Sequence, residues 1–242
     1  MKNFIVILTL LLMVNHVDAQ IQSMTRSPSR VAEMNALKTQ MNGTIALTDF
    51  SSRTFSDLLL NGVIIEGTPY AKDETSTGYF YMKDSVIITP TKLNYYANGF
   101  EFKVGDKTYV ATAASLDSVV VDKETYLYRT FPYKGENPSR KLVKRLYLNG
   151  KNALYEYKMV DFVQETKPGP LVDHKPAHFE WKEPLYLYEI DYRIIPLTNF
   201  KELTRTFPGK EKEINKFIKL NSIHTDSPLH LQVLLDYVSK LK

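Results

Sequence analysis

From about Leu58 to Pro196, short β-branched and aromatic runs alternate with turn residues. Phe100-Glu101-Phe102-Lys103-Val104 shows the period most plainly. Apolar and charged positions take turns, so one face of a strand is expected to be buried and the other wet. The same pattern predicts strands at Gly62–Glu66, Gly78–Met82, Val86–Pro90, Phe100–Val104, Thr108–Thr112 and Ser118–Asp122. It also predicts them at Thr125–Phe131, Lys144–Leu148, Ala153–Val163, Ala177–Trp181, Leu185–Ile190 and Tyr192–Pro196. Asn98-Gly99, Gly105-Asp106 and Asn149-Gly150 supply residues that accept positive φ in tight hairpin turns. Connections this short join neighbouring antiparallel strands, since parallel pairing needs crossovers of about a dozen residues or more.

Near Leu197 the period changes from that of a strand to that of a helix. Thr198 is placed to cap a short helix through Phe207, which Pro208-Gly209 ends. Glu211 to Leu220 resumes with Ile214, Phe217 and Ile218 on one face, and Ser227-Pro228 forms a cap and first turn. The stripe Leu231, Leu234, Leu235, Val238 and Leu241 follows. Isolated helices of this length are marginal in water, so the tail is expected to pack on one face of the sheet. The fold class is therefore α+β: an antiparallel β-meander, as a sandwich or partial barrel, with two or three C-terminal helices. An outer-membrane barrel would need strands of about 10 alternating residues and no helical tail.

The first residues carry a different pattern. Met1-Lys2-Asn3 is a short basic start, Phe4 to Val14 is apolar except for Thr9, and Val17-Asp18-Ala19 places short side chains before a cut. This is the layout of a secretory signal peptide, and the run is too short to span a bilayer. The organisation expected is a signal peptide at 1–19, a tether at 20–57 that is partly disordered or helical around Arg30 to Met41, a β domain at 58–196 and docked helices at 197–242. Export makes the destination periplasmic or secreted, and with no Cys at the cut the protein is not expected to be a lipoprotein.

Composition narrows the class. Removing nineteen of the 242 residues leaves 223, with enough apolar content (43% of the whole chain) for a packed core. There is no cysteine, so stability must come from the core without disulfides. Lys2 and Asp18 cancel in the leader, so the mature chain keeps the net +4, too mild a surplus for a nucleic-acid partner. No second apolar run of about 18 residues follows the leader, so no transmembrane segment is expected in the mature chain.

The order of landmarks resembles a family of uncharacterised exported proteins of Gram-negative bacteria. Gly67-Thr68-Pro69-Tyr70 resembles that family's Gly-Thr/Ser-Pro-Tyr segment. Thr91-Lys92-Leu93-Asn94 and Phe100-Glu101-Phe102-Lys103, then Gly105 and Tyr109, resemble its Leu-Arg-Tyr-Asn and Ile-Glu-Phe-Lys runs. Gly150-Lys151-Asn152-Ala153-Leu154-Tyr155 looks like its hairpin, and Phe207, Phe217-Ile218-Lys219 and Leu234-Leu235-Asp236-Tyr237 follow the order of its tail. The resemblance implies export and a β-then-helix architecture, and it brings no known activity. Where the family has Arg-Tyr this chain has Lys92-Leu93, which keeps the charge but loses the planar fork of Arg. Lys92 is therefore a candidate ligand-binding residue.

Four Tyr-x-Tyr pairs occur, Tyr79/Tyr81, Tyr126/Tyr128, Tyr155/Tyr157 and Tyr186/Tyr188. Residues two apart on a strand share a face, so each pair is an aromatic stripe that can stack on sugar rings or simply pack. Hairpin-like order makes Tyr126, Tyr128, Tyr155 and Tyr157 the candidate platform. His174 and His178 have the spacing of a metal pair, with Asp173 beside them, but Pro176 between them disfavours the aligning helix, so no metal and no cofactor is expected. Arg140, Lys141, Lys144 and Arg145 form a basic run suited to lipid headgroup phosphates or to a solvated strand edge.

No Gly-x-Ser-x-Gly elbow, His-Glu-x-x-His pair, phosphate-binding glycine loop or dinucleotide fingerprint occurs. Two function classes follow. One is a non-catalytic envelope protein that binds a glycan, lipid or partner protein through a Tyr-lined sheet face. The other is a periplasmic hydrolase with a site assembled from scattered Asp, Glu, His and Tyr.

Overall fold

The computed structural model describes residues 65–82, 85–104, 107–111, 116–166 and 174–241, with the backbone of 47–49. The leader, the expected helical stretch near Arg30 to Met41, the Gly105-Asp106 turn and Asp173 lie outside the described residues. The strands are β1 (Leu47–Asp49), β2 (Ile65–Glu66), β3 (Ser76–Met82), β4 (Ser85–Asn94), β5 (Gly99–Val104), β6 (Lys107–Ala111) and β7 (Leu116–Val121). They continue as β8 (Glu124–Phe131), β9 (Ser139–Asn149), β10 (Asn152–Tyr157), β11 (Val160–Val163), β12 (Ala177–Trp181), β13 (Leu185–Ile190) and β14 (Arg193–Pro196). Three helices close the chain: α1 (Phe200–Arg205), α2 (Glu211–Leu220) and α3 (Pro228–Val238). The α+β class is as expected.

Eleven strands form one antiparallel sheet in the order β1-β6-β5-β4-β3-β7-β8-β9-β10-β13-β14. Its hairpins come from the turn chemistry, with Asn98 at φ 52° and Gly150 at φ 60°. A second sheet, β11-β12-β2, is small and carries the one parallel pairing among the described strands, β12 with β2. The strands differ from the sequence expectation in several places. Leu47–Asp49, inside the expected tether, is a strand on the edge beside β6. The run expected as one strand from Ala153 to Val163 breaks at Lys158-Met159, so that β10 and β11 enter different sheets.

The large sheet curls to both sides. Tyr128 on β8 reaches across the first core to donate to the Ala111 carbonyl of β6 at 3.0 Å. That core holds Phe80, Phe100, Phe102, Leu116, Val119 and Tyr126, with edge-on ring contacts of 5.7 Å between Phe80 and Phe100 and 5.4 Å between Phe100 and Tyr126. On the other face of β8, Leu127 and Phe131 join Val143, Tyr155 and Leu187, and β14 folds back against β8 to close this second core. A bulge between β9 and β10 at Leu154/Tyr155 supplies local bending.

The tail packs on the sheet. Leu231, Leu234, Leu235 and Val238 of α3 are fully buried with Leu154, Tyr188, Leu203 and Ile214. The Tyr188 hydroxyl donates to the Leu231 carbonyl, and Asp236 accepts from Tyr147 at 2.9 Å and Asn149 at 2.8 Å. Stacked rings of Phe217 and Tyr237, 3.8 Å apart, join α2 to α3. The first helix is capped one residue later than expected: Asn199, not Thr198, accepts from the Lys201 amide at 2.9 Å. Ser227 and Pro228 take the cap and first-turn roles assigned to them.

Candidate functional site

The four candidate tyrosines do not form a platform. Tyr126 and Tyr128 point into the first core, whereas Tyr155 and Tyr157 point into the second. Their registers explain it: Tyr126 is opposite Lys144, which is opposite Glu156, so Tyr155 faces the other way. Tyr126, Tyr128 and Tyr155 are buried, and Tyr157 is half-buried with its ring edge-on to Phe131 at 5.3 Å. Tyr186 and Tyr188 are buried as well. The Tyr-x-Tyr pair with exposed rings is Tyr79/Tyr81, at 40% and 39% exposure.

Lys92 lies at a more promising place. Residues 85–91 of β4 pair with β3, and only Lys92, Leu93 and Asn94 pair with β5. Beyond Glu101, β5 runs on beside β6 without β4. Pro90, which brings no amide hydrogen to a ladder, stands where the strands part. In this fork is a cavity of about 470 Å³ lined by Lys92, Lys103, Thr75, Thr89, Thr108 and Pro90, with Tyr70, Glu101 and Phe102. That volume falls within the roughly 300–1,000 Å³ of small-ligand sites.

A strap at Gly67 to Ala71 forms the wall at Tyr70. Ala71 N–H donates to the Leu93 carbonyl at 3.2 Å, Tyr95 N–H to Pro69 at 3.0 Å, and the Trp181 indole N–H to Thr68 at 3.1 Å. Gly67 starts the strap at φ 76°, where a Cβ would also lie 3.3 Å from the Phe179 carbonyl oxygen. The Tyr70 hydroxyl donates to Glu101 Oε2 at 2.8 Å, and Asn94 Nδ2 donates to Oε1. Burial first, and then the Glu101 charge, hold the Tyr70 phenol far above its ordinary pKa, so it stays a neutral donor. The Lys92 ammonium sits 5.0 Å from the centre of the Tyr70 ring. Glu101, with both oxygens engaged, thus anchors the strap, while Lys92, Lys103, Thr75 and Thr108 line the cavity beside it.

The basic run is split by strand alternation. Lys144 contacts Glu124 at 3.0 Å and Glu156 at 3.4 Å, Lys141 bonds Ser139, Arg140 lies over the Tyr128 ring at 5.5 Å, and Arg145 reaches Thr125 at 3.5 Å. These partners make it a set of separate contacts and not one phosphate patch. Burial raises the Glu124 pKa, but hydrogen bonds from Tyr126 and Lys144 and the Lys144 charge outweigh it and hold the group low. Glu124 is therefore a carboxylate near neutrality, poorly suited to donate a proton.

Across the second core, Arg129 Nε donates to Glu189 at 3.0 Å and Nη2 to the Tyr155 hydroxyl at 3.0 Å, and that hydroxyl donates to Glu189. The side chains of Arg129 and Glu189 keep 27% and 14% exposure. Glu189→Ala leaves the guanidinium without its carboxylate and is expected to cost about 2 kcal/mol, below the roughly 3–5 kcal/mol for a fully buried pair. Urea denaturation measures this, and an unchanged midpoint would mean that the clasp between β8 and β13 contributes no stability.

His174 and His178 take separate partners. His174 Nε2 pairs with Glu165 at 2.8 Å, while His178 Nδ1 lies 3.0 Å from the Pro176 carbonyl oxygen. Among the described residues no group of three His, Cys, Asp or Glu is placed to hold a metal. No helix among them is long and apolar enough to cross a membrane.

Glu101 and Tyr70 were invisible as site residues. Alternation places Glu101 on the wet face, whereas Tyr70 of the Gly67-Thr68-Pro69-Tyr70 strap and Asn94 hold it in a buried position. Compared with known proteins, the chain matches no family model, no curated protein and no solved structure.

Proposed function

We propose that this is an exported, non-catalytic envelope protein that binds the anionic group of an envelope molecule, a glycan or a lipid headgroup, in the fork between β4 and β5. One observation carries the reading: Lys92 and Lys103 line a cavity of ligand size whose one described carboxylate, Glu101, is already engaged at both oxygens. Two ammonium groups attract an anion, and the Thr75 and Thr108 hydroxyls can donate to its oxygens. The pattern of the leader and the resemblance to exported Gram-negative proteins support the envelope as its place.

Calorimetric titration of the mature protein with glycerol phosphate and with acidic oligosaccharides tests the site. An anion should bind, weaken as salt rises, and weaken by about tenfold or more in Lys92→Ala, which corresponds to about 1.4 kcal/mol. Binding unchanged in the Lys92→Ala/Lys103→Ala double variant would overturn the assignment. Turnover of polysaccharide fragments by the purified protein would favour a hydrolase instead.

A further inference from the structure

The outward row of β4 runs Val86, Ile88, Pro90 and Lys92, while Ile87, Thr89 and Thr91 between them are buried. Val86 stands opposite Tyr81 and Ile88 opposite Tyr79, and on the far side of β3 these tyrosines face Ser118 and Val120. These cross-strand rows, Val86-Tyr81-Ser118 and Ile88-Tyr79-Val120, contain no charged side chain. Val86 and Ile88 are 50% and 59% exposed, next to the exposed rings of Tyr79 and Tyr81. A sheet hairpin therefore presents four large apolar side chains to solvent on one face. This strip does not end in open surface. Its own strand carries it into the fork, because Pro90 and Lys92 line the cavity.

At about 3.3 Å per residue, Val86 to Lys92 covers roughly 20 Å. One leaflet of a bilayer's hydrocarbon core, about 15 Å, is of similar length. We propose that the ligand of this protein is an anionic amphiphile: its phosphate or carboxylate sits between Lys92 and Lys103, and its hydrocarbon lies along Ile88, Val86, Tyr79 and Tyr81. The proposal rests on the cavity reading given above. A second copy of the chain is the poorer occupant, because four half-exposed side chains fall far short of the roughly 20 residues a side of a stable interface. A glycan is poorer too, because Val86 and Ile88 beside the rings offer sugar hydroxyls no polar partner.

The test compares three probes on the full mature chain by calorimetry: short-chain phosphatidic acid below its micelle concentration, phosphatidylcholine of the same chain length, and glycerol phosphate. The expected result is phosphatidic acid binding at least about tenfold tighter than either of the others. Val86→Thr with Ile88→Thr keeps β-branched residues on the strand, and an unchanged melting temperature confirms that the variant is folded. This pair of changes should weaken phosphatidic acid by about tenfold and leave glycerol phosphate as it was. Glycerol phosphate binding as tightly as the lipid, or a folded strip variant with undiminished lipid affinity, overturns the amphiphile and leaves the cavity standing. Lipid binding that is indifferent to headgroup charge and to Lys92→Ala/Lys103→Ala overturns the cavity itself. Failure of every lipid probe, with acidic oligosaccharides bound, also overturns the amphiphile.

Discussion

Raising the pH is expected to unfold this protein cooperatively between about pH 10, where ordinary tyrosines ionise, and the value of about 12 to which Tyr155 and Tyr157 are pushed. For both the largest cause is burial; the Glu189 carboxylate adds to it at Tyr155, and Tyr133 at Tyr157. Tyr70, Tyr95, Tyr126 and Tyr188 are held higher still, again chiefly by burial. The sign follows from linkage. A phenol whose folded pKa is raised gives its full stabilisation below the unfolded pKa and loses it as pH rises through the folded one. Six such groups act in the same direction in a domain with stability of only about 5–15 kcal/mol. Tyrosinate absorbance and circular dichroism followed together check this. The buried phenols should ionise in one step, together with the loss of structure. Complete ionisation near pH 10 with the dichroism unchanged would contradict the burial of these rings.

Leu234→Ala is expected to destabilise the protein strongly. Leu234 has no exposed surface and packs with Leu154 and Tyr188 of the sheet and with Leu203 of α1. Emptying such a site costs about 2–5 kcal/mol, through lost transfer energy and the cavity left behind. For a domain of this size that lowers the melting temperature by roughly 5–15 °C. Leu229→Ala is the control, since Leu229 on the same helix is largely exposed and should shift the temperature little. Truncation at Ser227 should be worse than either, because Asp236 and the Leu231 carbonyl also receive hydrogen bonds from the sheet. A truncated chain with an unchanged melting curve would show that α3 is peripheral.

Periodicity located the strands well because a strand's pattern is local. Phe100-Glu101-Phe102 alternates, and β5 is there; the Leu231 to Val238 stripe repeats, and α3 buries it. What covers each face is set by residues far away in sequence. Glu101 looked solvated until Tyr70 was laid over it. The tyrosine platform failed for a reason that a different weighting could have caught. Tyr126-Leu127-Tyr128 and Leu185-Tyr186-Leu187-Tyr188 are continuous apolar and aromatic runs, the mark of strands buried on both sides. Lys158-Met159, where one expected strand becomes two, carries no Gly or Pro to announce the break. The fork cavity was the least legible feature. Pro90 was included in a strand, and nothing in the neighbouring residues says that β4 changes partners there.

The double curl of the sheet has a consequence for how the molecule comes apart. Leu127 and Tyr128 are adjacent in sequence yet belong to different cores, so β8 is a party wall between two rooms. Pulling down either room strips one side of the wall and leaves its aromatic residues against water. Partial opening should therefore be rare around β8, and its amides should exchange with solvent only when the whole sheet is lost.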